Sequence, residues 1–267
     1  MSHITHDIND SCVTICLNRS PVNALNLEVL NELNNLFIKL EDDSDINLII
    51  LTGGNNKFFS FGLDIPELLV LERNTLKKTL IMLLDTCKKI YLSSKITISK
   101  INGHATGGGC MLALSTDFRY MINNRSKIAL NEINIGLSLF SSTIEILKTI
   151  VGVKNSKEIL LGGNMLNTTK ALEYGLINGT YEENDDSYLT SIIKEYSSKS
   201  SIAIKDLKDS LMLSDLSLLN DDDSKLELFL DIFYSEDTQE KLKKIVIKKG
   251  LAENELSTSH NCNFSFI

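Results

Sequence analysis

The feature that most constrains this chain is a glycine-rich junction that joins an apolar, strand-like run to a helix-like run. Residues 101–110 read Ile-Asn-Gly-His-Ala-Thr-Gly-Gly-Gly-Cys. Consecutive glycines allow backbone conformations closed to other residues, and they leave the first helical N–H groups approachable at the positive end of the helix dipole. The junction can hold a phosphate or an oxyanion that develops during a reaction, or it can serve as a packing device. It is neither a G-x-G-x-x-G nor a P-loop sequence, which disfavours a nucleotide-phosphate site.

The first part of the chain predicts a strand, a helix and a strand in that order. Residues 12–17 alternate between two faces, as in a half-buried strand. Asn26 can cap a helix in which leucines recur at helical spacing up to Leu40. Residues 48–51 form the continuous apolar run that is typical of a strand covered on both faces. This order predicts an α/β layer with a right-handed crossover.

The rest of the chain mixes helices and strands at first and is dominated by helices from residue 141 onward. The pattern predicts a long helix over 76–91, short strands over 117–122 and 127–130 joined by a turn, and helices over 143–151, 155–161 and 168–174. After residue 198 the pattern is helical to about residue 249, and the polar end of the chain is expected to fray. We therefore divide the chain into a core, residues 1–198, and a C-terminal helical region, residues 199–267.

Charge and composition exclude several classes of partner. The formal net charge is −8, whereas nucleic-acid binding needs a basic surface. No apolar run reaches about 18 residues, so no membrane span is predicted. The cysteines show no zinc-ligand spacing and, without a visible secretory signal, are expected to be reduced. We expect a cytoplasmic protein, or one of the mitochondrial matrix if a presequence is absent from this chain.

Few side chains in this sequence are obvious catalysts. Glu132 lies between apolar residues at the end of a predicted strand, so desolvation is expected to raise its pKa toward the range where it can both take and give a proton. The alternative is a surface acid, and the sequence leaves the two open. His104 has no Asp or Ser partner at a recognisable spacing, which favours a structural role. Asp64 and Asp117 are weaker candidates, because each could cap a helix or accept from backbone donors.

Several motifs occur together in an order and spacing that resemble the crotonase (enoyl-CoA hydratase/isomerase) superfamily. They are Leu-Asn-Arg-Ser-Pro-Val-Asn-Ala-Leu at 17–25, Phe-Ser-Phe-Gly-Leu-Asp at 59–64, the glycine stretch at 101–110, Asp-Phe-Arg at 117–119, Asn-Glu at 131–132, Gly136, and Ala-Leu-Glu-Tyr-Gly-Leu-Ile at 171–177. Within the superfamily, the pattern is most similar to that of mitochondrial-type Δ3,Δ2-enoyl-CoA isomerases. The resemblance implies an α/β fold, a crotonase-type spiral of ββα units followed by C-terminal helices that pack against neighbouring subunits. It also implies a homotrimer or a dimer of trimers.

The resemblance further implies the residues of an acyl-CoA site. The backbone N–H groups of Leu63 and Gly108 would form an oxyanion hole, and Glu132 would transfer the proton. Residues expected to contact the substrate are Phe61, Gly62, Leu63, Asp64, Ile65, Gly107, Gly108, Met111 and Leu137. No metal or redox cofactor is implied, because coenzyme A is the carrier portion of the substrate.

One departure from the hydratase pattern selects among the reactions of the superfamily. Hydratases carry a second glutamate where this chain has Met111, which cannot transfer a proton. Hydration needs two carboxylates to position and activate a water, whereas double-bond migration needs one base that moves a proton between C2 and C4. The expected function is therefore isomerisation of Δ3 to Δ2 unsaturated fatty acyl-CoA thioesters. The alternatives are hydration, decarboxylation or double-bond migration on a carrier-bound intermediate, or a non-catalytic acyl-CoA-binding protein.

Overall fold

A computed structural model describes residues 2–54, 57–211, 216–220 and 223–256 of the chain. The strands of this part of the chain are β1 (Ile4–Asn9), β2 (Cys12–Leu17), β3 (Ala24–Leu25), β4 (Leu48–Gly53), β5 (Phe58–Ser60), β6 (Gly62–Leu63), β7 (Ile96–Ile101), β8 (His104–Thr106), β9 (Phe118–Ile122), β10 (Ile128–Ala129) and β11 (Gly179–Tyr181). The helices are α1 (Leu27–Glu41), α2 (Ile65–Leu68), α3 (Arg73–Leu92), α4 (Gly108–Leu114), α5 (Ser141–Gly162), α6 (Thr168–Glu173), α7 (Ser187–Ser197), α8 (Ser201–Leu211), α9 (Asp223–Phe233) and α10 (Glu236–Leu256).

The main sheet has six strands in the order β1-β2-β4-β7-β9-β11. The β1–β2 pair is antiparallel, and every other neighbouring pair is parallel. All six residues of β4 are buried, as expected of a central parallel strand covered on both faces. The α/β layer predicted from the sequence is therefore confirmed.

The two faces of the main sheet are covered by different elements. Val13, Ile15 and Leu17 of β2 are fully buried against the helices of the principal core, which include α1 and α3. Leu48 and Ile50 of β4 belong to a second, smaller core under α7. Side chains alternate between the two faces of a strand, so the two cores lie on opposite sides of one sheet.

The predicted helices are present, with small differences in their ends. Asn26 caps α1, and its side chain accepts a hydrogen bond from the N–H of Val29 at 3.0 Å. The two predicted helices 143–151 and 155–161 are the two halves of α5, which is interrupted at Gly152, where φ is +71°. The helix α10 continues to Leu256, into the stretch expected to fray, and the end of the chain beyond it lies outside the described residues.

The C-terminal helices pack on the same core as the sheet. Leu226, Phe229 and Phe233 of α9 are buried in the principal core, and the rings of Phe229 and Phe140 stack with centroids 4.8 Å apart. Arg73 of α3 forms an ion pair with Glu227 of α9 at 2.6 Å. Within the part of the chain that the structure describes, these helices therefore complete the core of the chain itself, in addition to any role between subunits.

Two small sheets stand apart from the main sheet. One has three parallel strands in the order β10-β8-β5, and the other pairs β3 with β6. The strands predicted over 117–122 and 127–130 are therefore present, but they belong to different sheets and do not pair with each other. The small sheets position the candidate site. The strand β6 carries Leu63, β8 leads into α4, and β10 precedes the segment that begins at Glu132.

Candidate active site

The turn between β5 and β6 presents the backbone N–H of Leu63. In the parallel pair of β3 and β6, the N–H of Asp64 donates to the carbonyl of Leu25 at 2.9 Å. Successive residues of a strand direct their N–H groups to opposite sides, so the Leu63 N–H points away from β3. The N–H of Phe61 is already bound to the carbonyl of Val22. The hydrogen bonds of Phe61 and Asp64 thus hold the turn in place, and the Leu63 N–H is left on the side of α4.

Gly62 allows this turn to approach the start of α4. Its φ is +90°, in the region that favours glycine. A β-carbon at Gly62 would lie 2.7 Å from the carbonyl oxygen of Thr106 and 3.0 Å from the nitrogen of Gly108. Any side chain at this position would therefore force apart the two segments that carry the Leu63 and Gly108 N–H groups.

The consecutive glycines of the junction have different structural tasks. Gly107 precedes α4 with φ +53° and ψ −126°, a conformation that residues with a side chain rarely adopt. Gly108 is the first residue of α4, where an N–H has no acceptor within the helix. A β-carbon at Gly109 would lie 2.4 Å from the carbonyl oxygen of Ser60, so this glycine allows α4 to pack closely on β5. Gly108 therefore supports the interpretation of the stretch as an anion site, and Gly109 supports its interpretation as a packing device.

The Leu63 nitrogen lies next to the first residue of α4. A β-carbon built on Gly108 would be 3.6 Å from the nitrogen of Leu63. All seven residues of α4 are buried, so the positive end of its dipole acts in a region poor in water. This arrangement is suited to stabilise one negatively charged oxygen placed between the two donors.

The carboxyl group of Glu132 faces the same place. Glu132 begins a 3-10 helix, Glu132–Ile135, shortly after β10, and a β-carbon at Gly107 would lie 3.5 Å from its Oε1 atom. Its Oε2 atom is buried and has no hydrogen-bond partner among the described residues. Burial raises the pKa of Glu132 to about 7. Glu132 as a whole is partly exposed, but its Oε2 atom is withdrawn from water, which agrees with the desolvation expected from the sequence and does not fit a fully solvated surface acid.

The remaining residues expected at the substrate lie around these groups. Phe61 and Ile65 flank the Leu63 turn and are half-buried. Met111 is buried in α4, one turn after Gly108 and on the same helix face. Leu137 follows the Glu132 segment and donates its N–H to the Glu132 carbonyl at 3.0 Å. The structure therefore places all of the expected residues on three adjoining segments.

Asp64 has a structural role that the sequence left open. Its side chain caps α2 by accepting from the N–H of Glu67 and forms an ion pair with Arg19 at 2.5 Å. Arg19 also contacts the carbonyl of Ala24 and the carboxylate of Glu67. Sequence reasoning missed the role of Arg19, because its acidic partners Asp64 and Glu67 are distant in the chain and only the fold brings them together.

His104 and Asp117 also have structural partners. The Nδ1 atom of His104 accepts from the N–H of Lys127, and burial lowers the pKa of this histidine. Asp117 accepts from the N–H and hydroxyl of Thr97 and from Lys208 of α8. Of the acidic candidates that the sequence offered, only Glu132 therefore has its carboxyl group directed at the start of α4.

Comparison with known proteins identifies the family. A profile of the family described as "Enoyl-CoA hydratase/isomerase" matches residues 7–252. The chain belongs to the enoyl-CoA hydratase/isomerase family. Enzymes of this family bind acyl-CoA substrates.

Curated members of the enoyl-CoA hydratase/isomerase family that are similar to this chain have either of the two activities in their names. The "Short-chain-enoyl-CoA hydratase" of Clostridium acetobutylicum is 30% identical over 188 residues, which cover 69% of this chain and 70% of that protein. The human "Enoyl-CoA delta isomerase 1, mitochondrial" is 30% identical over 164 residues, which cover 61% of this chain and 54% of that protein. Sequence identity therefore does not separate hydratase from isomerase.

Solved structures of the family show the same fold. The crystal structure of human mitochondrial Δ3,Δ2-enoyl-CoA isomerase aligns with a TM-score of 0.87 at 24% identity and covers 94% of this chain and 100% of that one. An enoyl-CoA hydratase from Bacillus halodurans aligns with a TM-score of 0.81, also at 24% identity, and covers 91% of this chain and 100% of that one. The α/β crotonase fold with C-terminal helices, expected from the sequence, is confirmed.

No helix within the described ranges combines the length and the apolar character needed to cross a membrane. In the same ranges, no group of three or more His, Cys, Asp or Glu side chains is arranged to hold a metal ion.

Proposed function

We propose that this chain is a Δ3,Δ2-enoyl-CoA isomerase, which moves the double bond of unsaturated fatty acyl-CoA thioesters from C3 to C2. The observation that carries the proposal is the presence of one buried carboxylate, that of Glu132, facing the N-terminus of α4. The next side chain on the same face of α4 is that of Met111, which has no proton to exchange. A site with one proton carrier fits a reaction that returns the proton it removes.

Binding would place the thioester oxygen between the N–H groups of Leu63 and Gly108. Both donors are backbone groups fixed by β6 and α4, so they need not reorganise during the reaction. Negative charge on the oxygen grows as the proton leaves C2, and the two hydrogen bonds strengthen with it. They therefore stabilise the transition state more than the bound substrate.

Proton transfer then takes two steps at one residue. The Glu132 carboxylate removes a proton from C2, and the electron pair of that C–H bond gives a dienolate with its charge on the thioester oxygen. Glu132 returns the proton to C4, where the C3–C4 π pair forms the new C–H bond. The C1–C2 π pair becomes the C2–C3 double bond, and the thioester carbonyl is restored. No atom is gained or lost, as an isomerisation requires.

The environment of Glu132 suits both steps. Its Oε2 atom lacks a partner among the described residues, so a substrate proton does not compete with an existing hydrogen bond. With a pKa of about 7, the group is ionised often enough to remove a proton near neutral pH and is basic enough to hold it until transfer. General acid–base catalysis of this kind contributes about 10²–10⁴-fold to the rate.

Hydration is the second candidate, because one of the similar curated proteins is named a short-chain-enoyl-CoA hydratase. It is less well supported, because a water molecule attacking C3 needs a carboxylate to position it in addition to the group that exchanges the proton. The described site offers a methionine on that face of α4. Decarboxylation, chemistry on a carrier-bound substrate and a non-catalytic role are the other outcomes of the test.

The test compares two thioesters and three proteins. The purified wild-type chain is incubated with trans-3-hexenoyl-CoA and, separately, with crotonyl-CoA in water. The variant Glu132→Gln removes the base without changing the size of the side chain, and Glu183→Gln, at an exposed position, is the matched control. We expect conversion of the 3-enoyl to the 2-enoyl thioester, a loss of about 10²-fold or more in Glu132→Gln, and wild-type activity in Glu183→Gln.

Each other outcome points to a different function. Hydration of crotonyl-CoA by the wild-type chain, without conversion of the 3-enoyl thioester, would replace the proposal by a hydratase. No reaction with either thioester would leave the family and fold in place and favour a carrier-bound substrate or a non-catalytic role. By its membership of the family we also propose a homotrimer or a dimer of trimers.

A further inference from the structure

Ser60 lies at the centre of the contacts that hold the Leu63 turn. Its side chain is completely buried at the end of β5. The hydroxyl donates to the carbonyl of Asn23 at 2.7 Å and accepts from the N–H of Gly62 at 3.2 Å. The hydroxyl therefore joins the segment before β3 to the residue immediately preceding Leu63.

Asn23 completes this connection from the other side. It is 98% buried, has a positive φ of +51°, and its amide group lies against β5. The Nδ2 group donates to the carbonyls of Phe58 and Phe59 at 3.0 and 3.2 Å. The pairing of β5 with β8 is irregular between Phe58 and Ser60, so the Asn23 amide satisfies carbonyls where the regular ladder is disturbed.

Ser60 also contacts the segment that carries the second donor. The Ser60 carbonyl and Cβ lie against Gly109, where an added β-carbon would be 2.4 Å from the carbonyl oxygen and 2.7 Å from Cβ. Gly109 follows Gly108 directly in the first turn of α4. The backbone of one residue therefore sets the position of α4, while its hydroxyl sets the position of the Leu63 turn.

We propose that Ser60, held in place by Asn23, is a positioning residue that fixes the separation and direction of the Leu63 and Gly108 N–H groups. The inference rests on the proposed function only in taking these two groups as the donors to a thioester oxygen. Ser60 does not touch the substrate, and it acts through Gly62 and Gly109. Removal of its hydroxyl leaves the buried Gly62 N–H without this acceptor, so the turn shifts and the two donors no longer converge on one oxygen.

The test measures the hydrogen bonds at the thioester oxygen directly. Hexanoyl-CoA labelled with ¹³C at the carbonyl has no double bond, so it binds without reacting. Difference infrared spectra against the unlabelled thioester isolate the carbonyl stretch, whose frequency falls as hydrogen bonds to the oxygen strengthen. Only bound ligand contributes a shifted band, so a partial loss of folded protein lowers the intensity of the band and not its frequency.

Three variants are compared with the wild-type chain. Ser60→Ala removes the hydroxyl. Asn23→Gly removes the amide at a position whose positive φ suits glycine. Ser156→Ala is the matched control, because Ser156 is 97% buried and its hydroxyl donates to a backbone carbonyl in α5, away from the site. We expect the carbonyl band of the first two variants to move back toward its position in water, with kcat lowered about tenfold or more and KM nearly unchanged, and the control to match the wild-type chain.

The outcomes separate this inference from the proposed function. A wild-type band at its position in water would mean that Leu63 and Gly108 do not bind the thioester oxygen, and it would overturn both. A shifted wild-type band that is unchanged in Ser60→Ala and Asn23→Gly would overturn the role of Ser60 alone. A shifted band that these two variants lose, in a wild-type chain that does not isomerise 3-enoyl thioesters, would support Ser60 and overturn the isomerase.

Discussion

In the proposed function, desolvation alone prepares Glu132 both to take and to return a proton. In water, a glutamate with a pKa of 4.5 is a weak base, whereas at about 7 it binds a proton more than a hundredfold more tightly. The cause is desolvation, which is opposed by a hydrogen bond within the residue itself, and no charge among the described residues contributes to the shift. The site therefore obtains a stronger base without a second titrating group.

The shift predicts the pH dependence of the reaction. Only the ionised carboxylate can remove the C2 proton, so kcat/KM for trans-3-hexenoyl-CoA should rise with pH, reach half its maximum at about pH 7 and become constant at higher pH. A rate profile over this range is the measurement. The same midpoint with an enoyl-pantetheine thioester, which carries no phosphate, would assign the titration to the protein. A midpoint at about 4.5 would contradict the burial of the carboxyl group.

At the same scale, the sequence predicted some residue properties and missed others. The raised pKa of Glu132 followed from its apolar neighbours in the chain, because desolvation by adjacent residues is a local effect. Ser60 and Arg19 could not be found in this way, since their partners Asn23 and Asp64 are separated from them in sequence. The pairing of Leu63 with Gly108 was available only from the family resemblance, and the spectroscopic test above examines it.

Among the elements, those with a strong local period were predicted best. The strand β2 and the helix α1 follow from alternation and from leucines at helical spacing. The sequence does not predict the antiparallel strand β1, because only its first residue, Ile4, is buried and its residues show little alternation. Local sequence also could not predict that β9 and β10 belong to different sheets, because this depends on which distant strands each of them pairs with.

The capped start of α1 gives a prediction at the scale of elements. Asn26 accepts from the Val29 N–H and donates to the carboxylate of Glu67, so it both caps α1 and ties it to α2. We expect Asn26→Ala to lower the free energy of unfolding by about 1 kcal/mol. Asn35→Ala, on an exposed face in the middle of α1, is the control and should be neutral or slightly stabilising, because alanine is the better helix former. Urea titration of the three proteins measures the differences.

If Asn26→Ala were no less stable than Asn35→Ala, the hydrogen bonds at the start of α1 would contribute nothing measurable. The cap would then be replaced by water, which can satisfy an exposed helix end. The result would bear on the site as well, because Glu67 also contacts Arg19, and Arg19 holds Asp64 beside the Leu63 turn.

For the whole molecule, the site depends on segments that are far apart in the chain. The Leu63 turn, the start of α4 and the Glu132 segment meet because the small sheets bring β5, β6, β8 and β10 together. The C-terminal helices also contact one of these segments, the one that begins at Glu132, and the residues that follow it. Gly136, which ends the Glu132 segment, packs against α10, where a β-carbon at Gly136 would lie 2.9 Å from the hydroxyl of Thr238. Phe140, shortly after it, stacks on Phe229 of α9.

These contacts predict that the C-terminal region stabilises the core within one chain. Phe229 is 95% buried, and its replacement by alanine leaves a cavity beside Phe140, so we expect Phe229→Ala to lower the free energy of unfolding by about 3–5 kcal/mol. Leu228→Ala, at a neighbouring position that is 50% exposed, should change it by about 0.5 kcal/mol or less. Denaturant titrations at several protein concentrations distinguish a loss within the chain from a loss between subunits, because only the second depends on concentration. Equal, small effects of the two substitutions would mean that residues 1–198 hold their core without these helices, and the C-terminal region would then serve contacts between subunits, as the family resemblance implies.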